Sequence, residues 1–259
     1  MLIRDKEKEM DFVHLSTNDG IAEVRLTRGK VNALNEQSVE EITDCFQRMA
    51  ADPSIRAVIF TAYGPFFSFG FDIPEFLSYS RESFSRYLKR FTSLYRYLFT
   101  YPKPLVAALN GHAIAGGCMI ALTSDYRIMV SGKARISLNE ITFGSSVFAG
   151  SVAVLKFVAG GKNAQEVLYD GMMYSAEEAA RLGMIDLVSS DEQLGADAQE
   201  VARRLAAKDG AAFRSIKGLL RAPVADEMAM KEEQSVEEFL DIWYSEGTWR
   251  NLQAIKIRS

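Results

Sequence analysis

The period of the apolar positions changes along the chain, and that period assigns the elements. Within 12–26, Ala22, Val24 and Leu26 alternate with Glu23 and Arg25, the two-residue repeat of a half-buried strand. Asn18-Asp19-Gly20 supplies turn residues, so this segment predicts a hairpin. The repeat lengthens near Asn35. Val39, Ile42, Phe46 and Met49 recur at spacings of three and four, which predicts a helix, with Ser38 and Glu41 as a capping box and Pro53 beyond its end. The short apolar run 57–61 reads as a buried strand. Phe84, Leu88, Phe91, Tyr95 and Leu98 line one face of a second helix over 84–99, and Pro102 and Pro104 end it. A further buried strand is predicted at 105–109, a helix from Gly116 to about Ser124, and a strand at 127–130.

Strand and helix alternate in this way to about Val188, the pattern of parallel strands joined by helical crossovers. Beyond Ser190 only the helical period persists. Leu194, Ala198, Val201 and Leu205 mark one helix, and two more follow to about Trp249. The expected organisation is an α/β core over 1–190 and a C-terminal helical subdomain over 191–259, without a disordered linker or a solenoid repeat. In the tail, Met228, Val236, Phe239, Leu240 and Trp243 form an apolar face.

Composition narrows the function classes. With 259 residues, 48% of them hydrophobic, the chain can build a large core without disulfides or metals. A formal net charge of −4 and the lack of a dense Lys/Arg block argue against nucleic-acid binding. Cys45 and Cys118 stand far apart in apolar-periodic stretches and read as buried thiols in a reducing compartment. His14 and His112 belong to no cluster with ligand spacing, so no metal is expected. The first residues carry Arg4, Asp5, Lys6, Glu7, Lys8 and Glu9 rather than an apolar signal, and no apolar run reaches membrane-spanning length. The expectation is a cytoplasmic protein without membrane partners.

Two glycine-containing turns are the candidate chemistry. Phe67-Ser68-Phe69-Gly70-Phe71-Asp72 follows the strand at 57–61. Asn110-Gly111-His112-Ala113-Ile114-Ala115-Gly116-Gly117-Cys118 lies between a strand and a helix. Glycine lets a backbone approach a ligand closely, and unpaired N–H groups at a helix start bind negative charge. The second turn therefore reads either as an oxyanion site or as a place where Gly116-Gly117 only allows tight helix–strand packing.

Segments 67–76, 105–130 and 136–144, in this order and spacing, resemble the enoyl-CoA hydratase/isomerase (crotonase) superfamily. Lys30-Val31-Asn32-Ala33-Leu34 resembles the family's CoA-binding loop. Tyr174-Ser175-Ala176-Glu177-Glu178-Ala179, with Gly183-Met184-Ile185-Asp186, is similar to its later helix-to-strand passage. The likeness spans 12–190. It implies a ClpP-like α/β spiral of ββα units with a C-terminal helical trimerisation subdomain, an acyl-CoA substrate, no separate cofactor, and a homotrimer or hexamer.

The resemblance places two oxyanion-hole amides on Phe71 and Gly116. It places CoA and substrate contacts on Lys30, Val31, Ala33, Ser68, Gly70, Phe71, Asp72, Ile73, Gly116 and Asn139. Asp72 also reads as the cap of a short helix near Pro74. Family hydratases hold a water between two glutamates. The first position here is Met119; the second is Glu140 in Ser137-Leu138-Asn139-Glu140-Ile141. One carboxylate suits the isomerase branch, which also lacks the first glutamate, and burial against apolar walls including Met119 is expected to raise its pKa. Hydration, decarboxylation, C–C hydrolysis and acyl-CoA binding without turnover are the alternatives. Ser145, Ser146, Val147 and Phe148 replace a glycine-rich loop and are expected to line the acyl end. Lys256 and Arg258 are further candidates for CoA phosphates.

Overall fold

The computed structural model describes residues 10–255; the charged segment 1–9, Lys256 and Arg258 lie outside the described residues. Strands β1 (Val13–Asn18) and β2 (Ile21–Leu26) form the expected antiparallel hairpin. Asp19 and Gly20, with φ of 52° and 77°, make its two-residue turn. Positive φ at both positions gives the turn the twist of the strands it joins.

Next come β3 (Ala33–Leu34) and α1 (Glu36–Ala51). The capping box differs from the sequence reading. Asn35 is the N-cap, its side chain accepting from the Ser38 amide while the Ser38 hydroxyl accepts from the Asn35 amide. Glu41 instead reaches out of the helix and accepts from the Phe12 amide at 2.7 Å. A spacing of three residues identifies the motif but not its starting point.

The chain continues through β4 (Ala57–Ala62), β5 (Phe66–Ser68), β6 (Gly70–Phe71), α2 (Ile73–Phe76) and α3 (Arg81–Phe99). A second passage contains β7 (Leu105–Leu109), β8 (His112–Ile114) and α4 (Gly116–Leu122). The third has β9 (Tyr126–Val130), β10 (Ile136–Ser137), a 3-10 turn (Glu140–Phe143), α5 (Ala149–Asp170) broken at Gly160, and α6 (Ala176–Arg181). Last are β11 (Leu187–Ser189), α7 (Leu194–Ala206), α8 (Gly210–Trp243) and α9 (Glu246–Ala254).

Each passage places one strand in a six-stranded sheet, β1-β2-β4-β7-β9-β11, and one in a three-stranded sheet, β10-β8-β5. All pairs except the first hairpin are parallel. This is the spiral of ββα units that the resemblance implied. The hydrophobic period alone showed only one strand per turn, because β5, β8 and β10 span two or three residues each.

The continuous apolar runs of β4 and β7 follow from burial on both faces. Val58, Phe60, Leu105, Ala107 and Leu109 enter the main core with α1, α3 and α4. Ala57, Ile59, Val106 and Ala108 face Leu194, Ala198, Val201 and Ala202 of α7. Thus α7 is the second cover of the main sheet, although it belongs to the helical tail by sequence. Helix α8 packs on α3 and α5. Its Lys217 and Arg221 pair with Asp125 at 2.7 and 3.0 Å, and Arg221 donates to the carbonyls of Phe99, Thr123 and Ser124. One guanidinium so caps the C-terminal ends of both α3 and α4. Cys45 and Cys118 are both buried and free. Among the described residues, no helix is long and apolar enough to cross a membrane.

Candidate active site

The site forms where β6, the start of α4 and the 3-10 turn after β10 meet. Backbone hydrogen bonds tie these pieces together: Ala115 N–H donates to the Ser137 carbonyl, and Phe69 N–H to that of Val31. Ser68 is fully buried, its hydroxyl donating to the Asn32 carbonyl at 2.7 Å and accepting from the Gly70 amide. It therefore fixes the loop from beneath.

Gly117 and Gly116 differ in their surroundings. A methyl on Gly117 would stand 2.4 Å from the Ser68 carbonyl oxygen, so that position serves packing. Gly116 opens α4 and lines the cavity, and its N–H has no acceptor within the helix. Ala115 before it takes φ 49° and ψ −119°, a region that strains any residue with a Cβ.

Leu34 lies opposite Phe71 in the β3–β6 ladder and accepts from the Asp72 amide at 2.9 Å. In a parallel ladder a residue bonds to the two neighbours of its partner, so the Phe71 amide faces away from β3. The backbones of β6 and α4 are close: a methyl on Gly116 would lie 3.5 Å from the Gly70 Cα. The Phe71 ring turns into an aromatic cluster, edge-on to Tyr87 and Phe91 at 5.2 and 4.8 Å.

A cavity of about 310 Å³ adjoins these elements. Its wall contains Phe71, Ile73, Gly116, Met119, Asn139 and Glu140, all but Met119 among the predicted contacts. Glu140 is the one titratable side chain among the described residues lining it. Burial pushes the Glu140 carboxyl up to about 8, partly opposed by a hydrogen bond from its own amide. Its Oε2 is buried without a hydrogen-bond partner. Such a carboxyl holds its proton near neutrality, and its Oε2 has no donor to release first.

The other predicted residues surround the cavity without lining it. Gly70, at φ 95°, packs its Cα against the Ile114 carbonyl. Asp72 caps α2 by accepting from the Glu75 amide and pairs with Arg28 at 2.6 Å. Arg28 also donates to the Ala33 carbonyl, so it staples the 30–33 loop to α2. Lys30 is exposed, Val31 half-buried and Ala33 buried; the loop meets the cavity wall through the hydrogen bond from Phe69. His112 stands outside the cavity, packed on the Phe66 ring at 4.7 Å.

Ser145 and Phe148 line the cavity, as expected of their segment. Phe239, Trp243 and Ile255 close it as well. The spacing of Phe239 and Trp243 on an apolar helix face signalled burial but carried no information on what they would be buried against, and the sequence reading did not single out Ile255.

The model of the family described as enoyl-CoA hydratase/isomerase matches residues 16–248. Mitochondrial enoyl-CoA delta isomerase 1 of Mus musculus is 30% identical over 222 residues, 85% of this chain and 77% of that protein. A probable enoyl-CoA hydratase of Bacillus subtilis is 28% identical over 252 residues, 96% of this chain and 88% of that protein. The crystal structure of human mitochondrial delta3-delta2-enoyl-CoA isomerase superposes with a TM-score of 0.87 at 27% identity, covering 94% of this chain and 96% of that one.

Proposed function

The chain belongs to the enoyl-CoA hydratase/isomerase family, and from that premise we propose that it moves the double bond of an enoyl-CoA from the β,γ to the α,β position, with Glu140 carrying the proton. At the coarser level it is a crotonase-type enzyme acting on enoyl-CoA thioesters. The observation behind the finer reading is the single acid in the cavity. Adding water across a double bond takes one group to activate the water and another to protonate the α-carbon. Met119, where family hydratases carry the other glutamate, can do neither, and it shares the wall with Glu140.

In this reading the Phe71 and Gly116 amides hold the thioester oxygen. The Glu140 carboxylate takes a proton from the α-carbon, and the C–H electron pair spreads onto the carbonyl oxygen as a dienolate. The protonated Glu140 then gives the proton to the γ-carbon, leaving the double bond at α,β and the carboxylate restored. One oxyanion-hole donor is typically worth about 3 kcal/mol of barrier. Backbone donors do not depend on side-chain identity, so phenylalanine at 71 is compatible with the role.

Incubation with a β,γ-enoyl-CoA tests this directly. Appearance of the α,β-enoyl thioester chromophore, with no hydroxyacyl product from an α,β-enoyl-CoA, is the expected result. Water addition at a comparable rate overturns it. Assembly as a trimer or a dimer of trimers is part of the same proposal, supported by the exposed apolar Tyr169, Met172 and Met173. A monomer in sedimentation equilibrium at micromolar concentration rejects that part.

A further inference from the structure

The wall of the cavity includes Phe69, whose amide bonds the Val31 carbonyl of the 30–33 loop, and the ring of Phe148. Behind that ring lies a second, one-water-sized cavity of about 10 Å³, lined by Thr92, Tyr95, Met228, Glu232 and Ser235. Among the described residues, Phe148 is the one that both cavities share.

The ring is held as a fixed wall. It stacks on Phe239 at 4.6 Å and lies 6.4 Å from Phe71 and 6.3 Å from Phe91. Its backbone is anchored on both sides: the Phe148 carbonyl accepts from Val152 in the first turn of α5, and the Ala149 amide donates to the Ser235 hydroxyl of α8. Interiors this closely packed yield little to an extra methylene.

We propose that Phe148 ends the acyl pocket and sets the longest acyl chain this protein accepts, the space beyond it being a blocked continuation of the same pocket. The inference rests on the reading above that the cavity takes an acyl-CoA. It adds the chain length and the residue that sets it. With the ring removed, a longer chain would run between α3, α5 and α8 toward Glu232 and Ser235.

The test is equilibrium binding of saturated butanoyl-, hexanoyl-, octanoyl-, decanoyl- and dodecanoyl-CoA by calorimetry, to the wild type and to Phe148→Ala and Phe148→Leu. Wild-type affinity should rise with length and then drop at least about tenfold at the first chain that reaches the ring, the scale of one misfit group in an apolar pocket. The drop should move to longer chains in Phe148→Leu and further in Phe148→Ala. Equal binding of hexanoyl- and dodecanoyl-CoA by the wild type overturns the proposal, and this arm does not depend on the variants folding. A cut-off unchanged in folded variants overturns it too. Saturated thioesters cannot isomerise, so the outcome separates from that of the reaction. A length cut-off without turnover of any enoyl-CoA sinks the isomerase reading alone; turnover without a cut-off sinks the length restriction alone; and failure to bind any acyl-CoA sinks both.

Discussion

A buried carboxyl with one oxygen lacking any partner costs the fold stability whenever it is ionised, and Glu140 is such a group. The unfolded chain ionises this residue near about 4.3, whereas the folded protein keeps the proton to about 8. Between these values the folded state binds the extra proton, so stability falls as pH rises across the window. At neutral pH the penalty is on the order of 3 kcal/mol. Glu140→Gln should therefore raise the urea midpoint at neutral and mildly alkaline pH while lowering turnover about a hundredfold to ten-thousandfold, the range for loss of a general acid/base. For the unmutated protein, kcat/KM should climb with pH and level off above about 8, because the free enzyme must hold the carboxylate. A profile that is flat from slightly acid to alkaline pH contradicts the role given to Glu140.

Among the elements, α4 carries the most chemistry for its length. Its first residue offers the Gly116 amide, and its last turn ends in carbonyls that Arg221 of α8 satisfies. Asp125, just beyond, holds Arg221 and Lys217 in place. Burial lowers the Lys217 pKa to about 8, with Asp125 acting against that shift. Asp125→Asn removes the anion and leaves two buried cations, a change that typically costs about 3–5 kcal/mol. Thermal unfolding should show the loss, and Lys217, deprived of its anion, should shed its proton more readily still. The same element shows what a motif in sequence conveys. Gly116-Gly117 read as one feature with two competing explanations; packing accounts for Gly117, and the proposed oxyanion role falls to Gly116. The distinction came from the Ser68 carbonyl, which lies under Gly117 only after β5 and α4 have packed.

At the scale of the molecule, α8 and the residue after α9 return to close the cavity of their own chain through Phe239, Trp243 and Ile255. Trp243 lies tilted against Phe84 at 4.7 Å and stacks on Phe239 at 5.6 Å. Trp243→Ala should cost about 3–5 kcal/mol, read as a lower denaturant midpoint. It should also admit water beside Glu140. Because desolvation is what holds that carboxyl up, the midpoint of the pH–rate profile should move down toward the ordinary carboxylate range. A midpoint that stays near 8 would show that the tail does not control the acid's surroundings.

Sequence alone determined the locally encoded features. The helices of α1 and α3 follow from periodicity, the first turn from Asp19-Gly20, and the buried strands β4 and β7 from unbroken apolar runs. The candidate acid and amides came from the family resemblance, carried by segments 67–76, 105–130 and 136–144 standing in the same order. Only the tertiary structure decided what depends on distant partners. It placed α7 on the second face of the sheet, set Trp243 beside the cavity and put the ring of Phe148 between two voids. The physical reason is that a periodic pattern states which face of an element leaves water, while the identity of the opposing surface is settled by packing between residues a hundred or more positions apart.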